Sequence, residues 1–371
     1  MRERPRVHHR SAARRGTSSP ARAGRRGLLA LVAVAASAVL AACGTGAGGG
    51  AGAGSGRGDT QVTIGKAVDT IGFTSVEVAQ SKGYFAKQGV GVKEEMLGGS
   101  STAFAALQSG SVQFVTASST ALLSAKAKGV PLEAVTSLDY GVSLQLIASA
   151  SWLQAHQLAA NQPLKTVMNG MVGSTLGVIS TTDLSYNHYL MQAAGVDPSQ
   201  FNVITLKTQS AALAALQHGQ IDSILLSPPN SYLAQEQGTA QIMTSLHSVP
   251  LLAQMTYDVL IVDSNYAKSH PDIVRSVATA MAVAMNLMAK DPNSVLDVEK
   301  QHYPSMSDQV LLQSLKYVTF APDGKMTQEG WQGARTEAEQ TGVSGASSVD
   351  VSPNGGTWTN DYIKTVGLST G

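Results

Sequence analysis

The chain of 371 residues has a single cysteine, Cys43. An internal disulfide is impossible, and the fold must be held by packing alone. Arginine is absent from Gly58 to Val274. A bidentate guanidinium clamp on an anion is therefore unavailable over most of the chain. The histidines beyond the first forty residues, His156, His188, His218, His247, His270 and His302, show neither H-x-x-x-H nor H-x-H spacing. Together with the lone thiol they offer no metal-ligand pattern and no nucleophile–base pair. Catalysis, a metal centre and a cofactor are accordingly not expected. Past residue 42 there is no lysine or arginine cluster of the kind that follows a nucleic-acid backbone. A second apolar run long enough to cross a bilayer is not expected either.

What is present begins with a leader. Residues 1–26 carry nine arginines against one acid, Glu3, and an apolar and small-residue run follows from Leu28 to Leu40. A cationic segment followed by so short an apolar stretch is the layout of an export signal. Arg25 and Arg26, just ahead of the run, suit the twin-arginine route as well as general secretion, and both stay open. The run ends in Leu40, Ala41, Ala42 and Cys43, which resembles the lipobox of bacterial lipoproteins, with Cys43 as the lipidation site. Two or more acyl chains anchor stably to a membrane. Residues 44–58 are almost entirely Gly, Ala and Ser, the composition of a flexible tether. Beyond residue 42 the chain has 17 basic and 24 acidic side chains, so the basic excess belongs to the leader. The expected product is exported and anchored by lipid to the outer face of the cell membrane.

From Gln61 onward, β-like and helix-like runs alternate. Strands are expected at 61–68, 90–97, 112–115 and 132–138, and helices at 75–88, 102–108 and 119–128. A second set follows, with strands at 176–179, 202–206 and 221–226 and helices at 184–194 and 211–218. Such alternation with short turns implies mostly parallel sheets flanked by helices. The two sets share a local sequence: residues 101–110 read STAFAALQSG and residues 210–219 read SAALAALQHG. The same shift of 109 places Ser118 on Ser227. The helix stop, the next strand and this serine all keep register, which points to two similar lobes. Ligands of open α/β sheets bind beyond the C-terminal strand ends, so two facing lobes would share a cleft.

Leu144–Ser149 and Tyr257–Val262 are β-like runs near the edges of the second set and are expected as the connections between the lobes. A long helix is expected at Ile273–Lys290, with Pro271 in its first turn and Met281, Met285 and Met288 as a core stripe. Residues 358–366 are expected to pack back as a short helix or strand. The domain reading is an export signal over 1–42, a tether over 43–59, the first part of lobe 1 over 60–148 and lobe 2 over 149–255. Residues 256–371 return to lobe 1 and end in C-terminal helices.

Residues 71–74 (IGFT) and 78–90 (VAQSKGYFAKQGV) resemble the opening of the nitrate/sulfonate/taurine family of ABC-transporter solute-binding proteins, which also has thiamine-precursor-like members. Residues 98–102, 106–110 and 117–120 resemble the family's next signatures. Residues 176–183 and 193–198 resemble its second lobe, and 270–272 with the following helix its C-terminal part. The likeness spans about Gln61 to Lys290. It implies an α/β periplasmic-binding-protein fold of the second type, two-lobed with the ligand cleft between lobes. It implies a small polar solute, such as a sulfonate, nitrate, a taurine-like or a pyrimidine-like molecule. The implied partners are an ABC permease and its ATPase, with the binding protein itself a monomer. Carried over by position, the ligand contacts are Gly72, Phe73 and Thr74; Ser100 and Ser101; Ser118 and Ser119; Ser180, Thr181, Thr182 and Asp183; and Ser227.

Hydroxyl residues at helix starts are N-caps first and ligand contacts second. Several such starts converging on one cleft would still offer free N–H donors and partial positive charge. Without arginine, an anion would rely on these and on a lysine such as Lys66. Asp69, Asp139 and Asp183, near strand ends, could instead pair with an amine. Phe73, Tyr140 and Tyr186 could stack on a flat ligand. The alternatives are a binding module serving a sensor, and, further off, an enzyme of the same fold.

Overall fold

The computed structural model describes residues 60–160 and 162–363. The expected leader, the tether with Cys43 and the last residues of the chain lie outside them, as does the side chain of Thr181.

The first set of elements runs β1 (Thr60–Lys66), α1 (Ser75–Ser81), α2 (Tyr84–Lys87), β2 (Val90–Met96), α3 (Ser100–Ser109), β3 (Phe114–Ser118), α4 (Ser119–Lys126), β4 (Leu132–Ser137) and the short β5 (Asp139–Tyr140). The second runs β6 (Gln145–Ser149), α5 (Ala150–His156), α6 (Leu164–Gly170), β7 (Thr175–Val178), α7 (Thr181–Ala194), β8 (Asn202–Thr205), α8 (Gln209–Gln217), β9 (Ser223–Leu226), α9 (Asn230–Glu236) and β10 (Ala240–Ser245). The chain then returns through α10 (Pro250–Ala253) to β11 (Asp258–Asp263). It closes with α11 (Ser264–Ser269), α12 (Pro271–Lys290), α13 (Leu296–His302), α14 (Asp308–Tyr317), β12 (Thr319–Phe320) and α15 (Gln328–Gln340).

Two five-stranded sheets result, in the orders β2-β1-β3-β11-β4 and β8-β7-β9-β6-β10. Written this way they correspond strand for strand. The parallel trio β2-β1-β3 matches β8-β7-β9. In each, the fourth strand is antiparallel and is the one delivered from the other half of the chain. The shift of 109 residues that aligns the repeated sequence carries β3 onto β9 and Ser118 onto Ser227. Leu144–Ser149 and Tyr257–Val262 do form strands, as their β-like pattern implies, but these strands lie inside the two sheets and are not the connections: their apolar residues are buried between neighbours on both sides. The second sheet begins at Gln145, ahead of the boundary expected at residue 149.

The connections are residues 138–144 and 246–257. They run side by side, with Gly141 N–H donating to the Met255 carbonyl at 2.8 Å and Val142 N–H to that of Leu252 at 2.9 Å. Gly141 has φ +75°, and a Cβ there would stand 2.5 Å from the Ala253 carbonyl oxygen. Only glycine fits this crossing. β12 pairs with β5 and braces the outgoing strand.

The expected helix 75–88 is broken. Gly83 adopts a left-handed conformation, φ 71°, and separates α1 from α2, because a glycine stops a helix where the backbone must turn. α12 lays Met281, Met285 and Met288 against the first sheet, all buried; each contributes about 1.5–3 kcal/mol by leaving water. Contrary to the sequence expectation, α12 is long and apolar enough to cross a membrane. It is instead a core helix, since 61% of its most apolar stretch is buried in the protein. Past Trp358, whose backbone bridges to Ala134, residues 359–363 form turns, neither helix nor strand.

Candidate functional site

The C-terminal ends of β1, β3, β7 and β9 each release a turn. After β1 the chain makes a tight 3₁₀ turn, Ile71–Phe73, whose three residues are buried. The Thr74 hydroxyl serves Ile71 O at 2.9 Å and Glu299 Oε1 at 2.7 Å. Phe73 is core, 1% exposed, so it is not available to stack on a ligand. Gly72 rests on two acids: a Cβ there would lie 2.9 Å from both Asp139 Oδ2 and Asp258 Oδ2.

After β3, Ser118 caps α4 by accepting from Ala121 N–H at 3.3 Å. Ser119 is wholly buried and donates to the Thr256 carbonyl at 2.7 Å. After β7, Ser180 and Asp183 form a capping box. Ser180 Oγ accepts from Asp183 N–H at 3.1 Å, and Asp183 Oδ2 accepts from the N–H groups of Ser180 at 2.9 Å and Ile179 at 3.1 Å. The Asp183 carboxylate is thus spent on its own helix start. Thr182 is half-buried in that first turn. Ser227 follows β9 and precedes the cis Pro228–Pro229 bond. Ser100 and Ser101 open α3 behind Gly99, whose φ of 139° only glycine adopts readily; Ser101 is exposed.

The structure brings most of these turns together. Ile71 N–H and the Thr70 hydroxyl both reach the Pro228 carbonyl at 3.4 Å. Gln209 at the start of α8 donates to the Asp69 carbonyl at 3.3 Å. The turn carrying Gly72–Thr74 therefore meets the turn carrying Ser227. Tyr186 of α7 is wholly buried, and its hydroxyl is held protonated by burial first and then by the charge of Glu337 in α15, with Thr120 of α4 beside it. This sets α7, opened by the Ser180–Asp183 turn, near α4, opened by the Ser118–Thr120 turn, around Glu337, which accepts from Thr120 Oγ1 at 2.5 Å. Among the described residues, Ser100 and Ser101 form no hydrogen bond with the other turns.

At the hinge end of the first sheet, Asp139 leaves β4 and Asp258 enters β11, directly opposite Ser118 in the ladder. Asp139 Oδ1 accepts the Asp258 N–H at 2.9 Å. Burial pushes Asp258 up to about 7. Burial, and then the Asp258 charge, drives Asp139 well above the usual carboxylate range. Tyr257 is held protonated by burial first, then by the charges of Asp258, Asp139, Asp183 and Glu337. Asp258 is absent from the sequence-derived site; the signal for it was an acid opening the apolar run 259–262.

Lys66 is not free for an anion. It is buried, paired with Glu77 and 3.8 Å from Glu94. Asp69 is engaged within the protein, its Oδ1 accepting from His302 Nε2 and Tyr303 OH, each at 2.9 Å. Tyr140 donates to the Lys325 carbonyl at 2.6 Å. A surface cavity of about 430 Å³ lies between the end of α3 and residues 263–266, at the far end of the central strands β3 and β11 from Ser118 and Asp258.

The family model described as NMT1/THI5 like matches residues 70–295. The chain belongs to the NMT1/THI5-like family. It is 27% identical over 229 residues to the taurine-binding periplasmic protein of Escherichia coli K12, covering 58% of this chain and 64% of that one. The match thus spans less than two thirds of the relative. Among solved structures, a protein of Bordetella bronchiseptica RB50 superposes with TM-score 0.67 at 22% identity, over 82% of this chain and 96% of that one. The periplasmic aliphatic sulphonate binding protein SsuA of Escherichia coli gives TM-score 0.59 at 17% identity, over 76% and 91%. These likenesses establish the periplasmic-binding-protein fold of this NMT1/THI5-like chain.

Proposed function

We propose that this NMT1/THI5-like protein is the extracytoplasmic solute-binding component of an ABC importer, held to the membrane through lipid on Cys43. It captures one small polar solute, from the sulfonate, nitrate, taurine-like and pyrimidine-like range, and presents it to the permease that the ATPase drives. The observation that carries this reading is the pair of matched sheets joined by two adjacent crossovers, with ligand-end turns of one touching those of the other at Pro228. Two parallel connections allow rotation about one axis, the hinge class of domain closure. Closure excludes water, which strengthens each polar contact made inside.

Ser118 and Ser180 hold their hydroxyls in caps, and Thr74 and Ser119 donate within the protein, so the groups left for a solute are the helix-start N–H donors, Ser100, Ser101, Thr182, Ser227, Tyr257 and the hinge acids. The taurine-binding relative supports the assignment by family. The test is thermal unfolding of the full-length protein with a panel of such solutes. At least one raises the Tm without being consumed, and Ser118→Trp, which fills the mouth of the cleft, abolishes that rise while leaving the circular dichroism unchanged. An unaltered rise in the variant would displace the site.

A further inference from the structure

Two carboxylates sit at the hinge, and among the described residues nothing cationic meets them. Asp139 is 0% and Asp258 4% exposed. Both Oδ2 atoms face Gly72, each 2.9 Å from where a Cβ on that residue would stand. Asp139 Oδ2 has no hydrogen-bond partner. Burying two acids without a counter-charge costs several kcal/mol per charge, and a carboxylate so placed keeps a proton instead. Among the described residues the groups facing the pair are acids and phenols. Asp139 and Asp258 face each other, Tyr257 adjoins them, and Asp183 and Glu337 act on Tyr257 from α7 and α15. The Gly72 turn and Ser118 bring no charge.

An apolar residue at either position would be cheaper for the fold. The placement is functional in its logic. Both acids lie on the two chain crossings, at the sheet end where ligands of this architecture bind, and under a turn that touches the second lobe. We propose that Asp139 and Asp258 form a counter-charge for a cationic nitrogen on the captured solute, with Asp258 as the contact and Asp139 positioning it. This rests on the solute-binding reading and narrows it to amine- or amidine-bearing molecules, such as a taurine-like zwitterion or an aminated heterocycle. Nitrate and plain sulfonates fall outside it. Capture replaces the shared proton by the ligand's charge, so binding releases a proton.

The experiment uses full-length protein and matched solutes that differ only in amine or hydroxyl: taurine with isethionate, β-alanine with 3-hydroxypropionate, ethanolamine with ethylene glycol. Nitrate and ethanesulfonate complete the set, alongside mass spectrometry of solute released on denaturation. Amine members raise the Tm and their hydroxyl twins do not. Calorimetry of the hit shows affinity falling up to about tenfold per unit as pH drops below 7, the value to which Asp258 is raised. Asp258→Asn and Asp139→Asn each weaken that hit about 10- to 100-fold, with apo Tm unchanged or higher. If an amine-free solute binds, with affinity indifferent to both variants, the amine site is overturned and solute capture stands. If no solute binds in any arm and none is released, both readings are overturned.

Discussion

Replacing Asp258 by asparagine tests whether the hinge pair is a cost to the fold. In an unfolded chain an aspartate titrates near 4, whereas burial raises Asp258 to about 7. The folded state then binds more protons than the unfolded state between those values, so stability contributed at this site falls as pH rises from 4 to 7. Each unit is 1.36 kcal/mol, which puts the penalty above pH 7 on the order of 2–4 kcal/mol. Asp258→Asn removes the charge, and the new amide can donate to the unpartnered Asp139 Oδ2. At 2–4 °C per kcal/mol for a chain of this size, the variant should gain about 4–15 °C in Tm at pH 8. At pH 4.5, where both forms are neutral, it should gain almost nothing. Differential scanning fluorimetry at the two pH values reads the difference directly. A variant less stable than wild type at pH 8, or an equal shift at both pH values, would refute the reasoning.

His302→Gln should lose stability mainly at low pH. His302 is raised by its hydrogen bond to Asp69, so its contribution is complete below the ordinary histidine value and fades as pH climbs through the raised one; a Tm deficit larger at pH 8.5 than at pH 5.5 would contradict this. Gly141→Ala places a Cβ against the Ala253 carbonyl in a left-handed backbone, and should cost about 1–3 kcal/mol in urea unfolding; an unchanged midpoint would mean the crossings are slack. Cys43→Ala should move the full-length protein from the membrane pellet to the soluble fraction, and retention in the pellet would remove the lipid anchor.

The alternating elements from β1 to β9 were legible because strand and helix periods differ and glycines punctuate them. The repeated ten residues revealed the pairing of α3 with α8 and of β3 with β9, since both segments meet the same packing. Helices such as α13 to α15 were not legible: their buried positions are interleaved with charge, and only a neighbour decides which face is inside. The split at Gly83 needed a backbone angle that no composition carries. In the site, Ser118, Ser180 and Asp183 were correctly placed at strand ends. Whether each polar side chain faces a solute or its own helix start depends on a fraction of a turn, and the structure assigns these three to caps. Phe73 and Lys66 were read as ligand groups by their place in sequence, yet each is satisfied inside the first lobe. Asp258 was overlooked because an acid at the head of an apolar strand gains meaning only beside Asp139, 119 residues away.

The central claim is that two halves of the chain swing shut on a guest. Spin labels at Ser101 in α3 and Ser210 in α8, both exposed, in a Cys43→Ser background, measure that motion by pulsed dipolar spectroscopy. The account predicts a broad distance distribution in stripped protein that collapses to one shorter distance when the tightest-binding solute of the panel is added. One distribution, identical with and without solute, would contradict it.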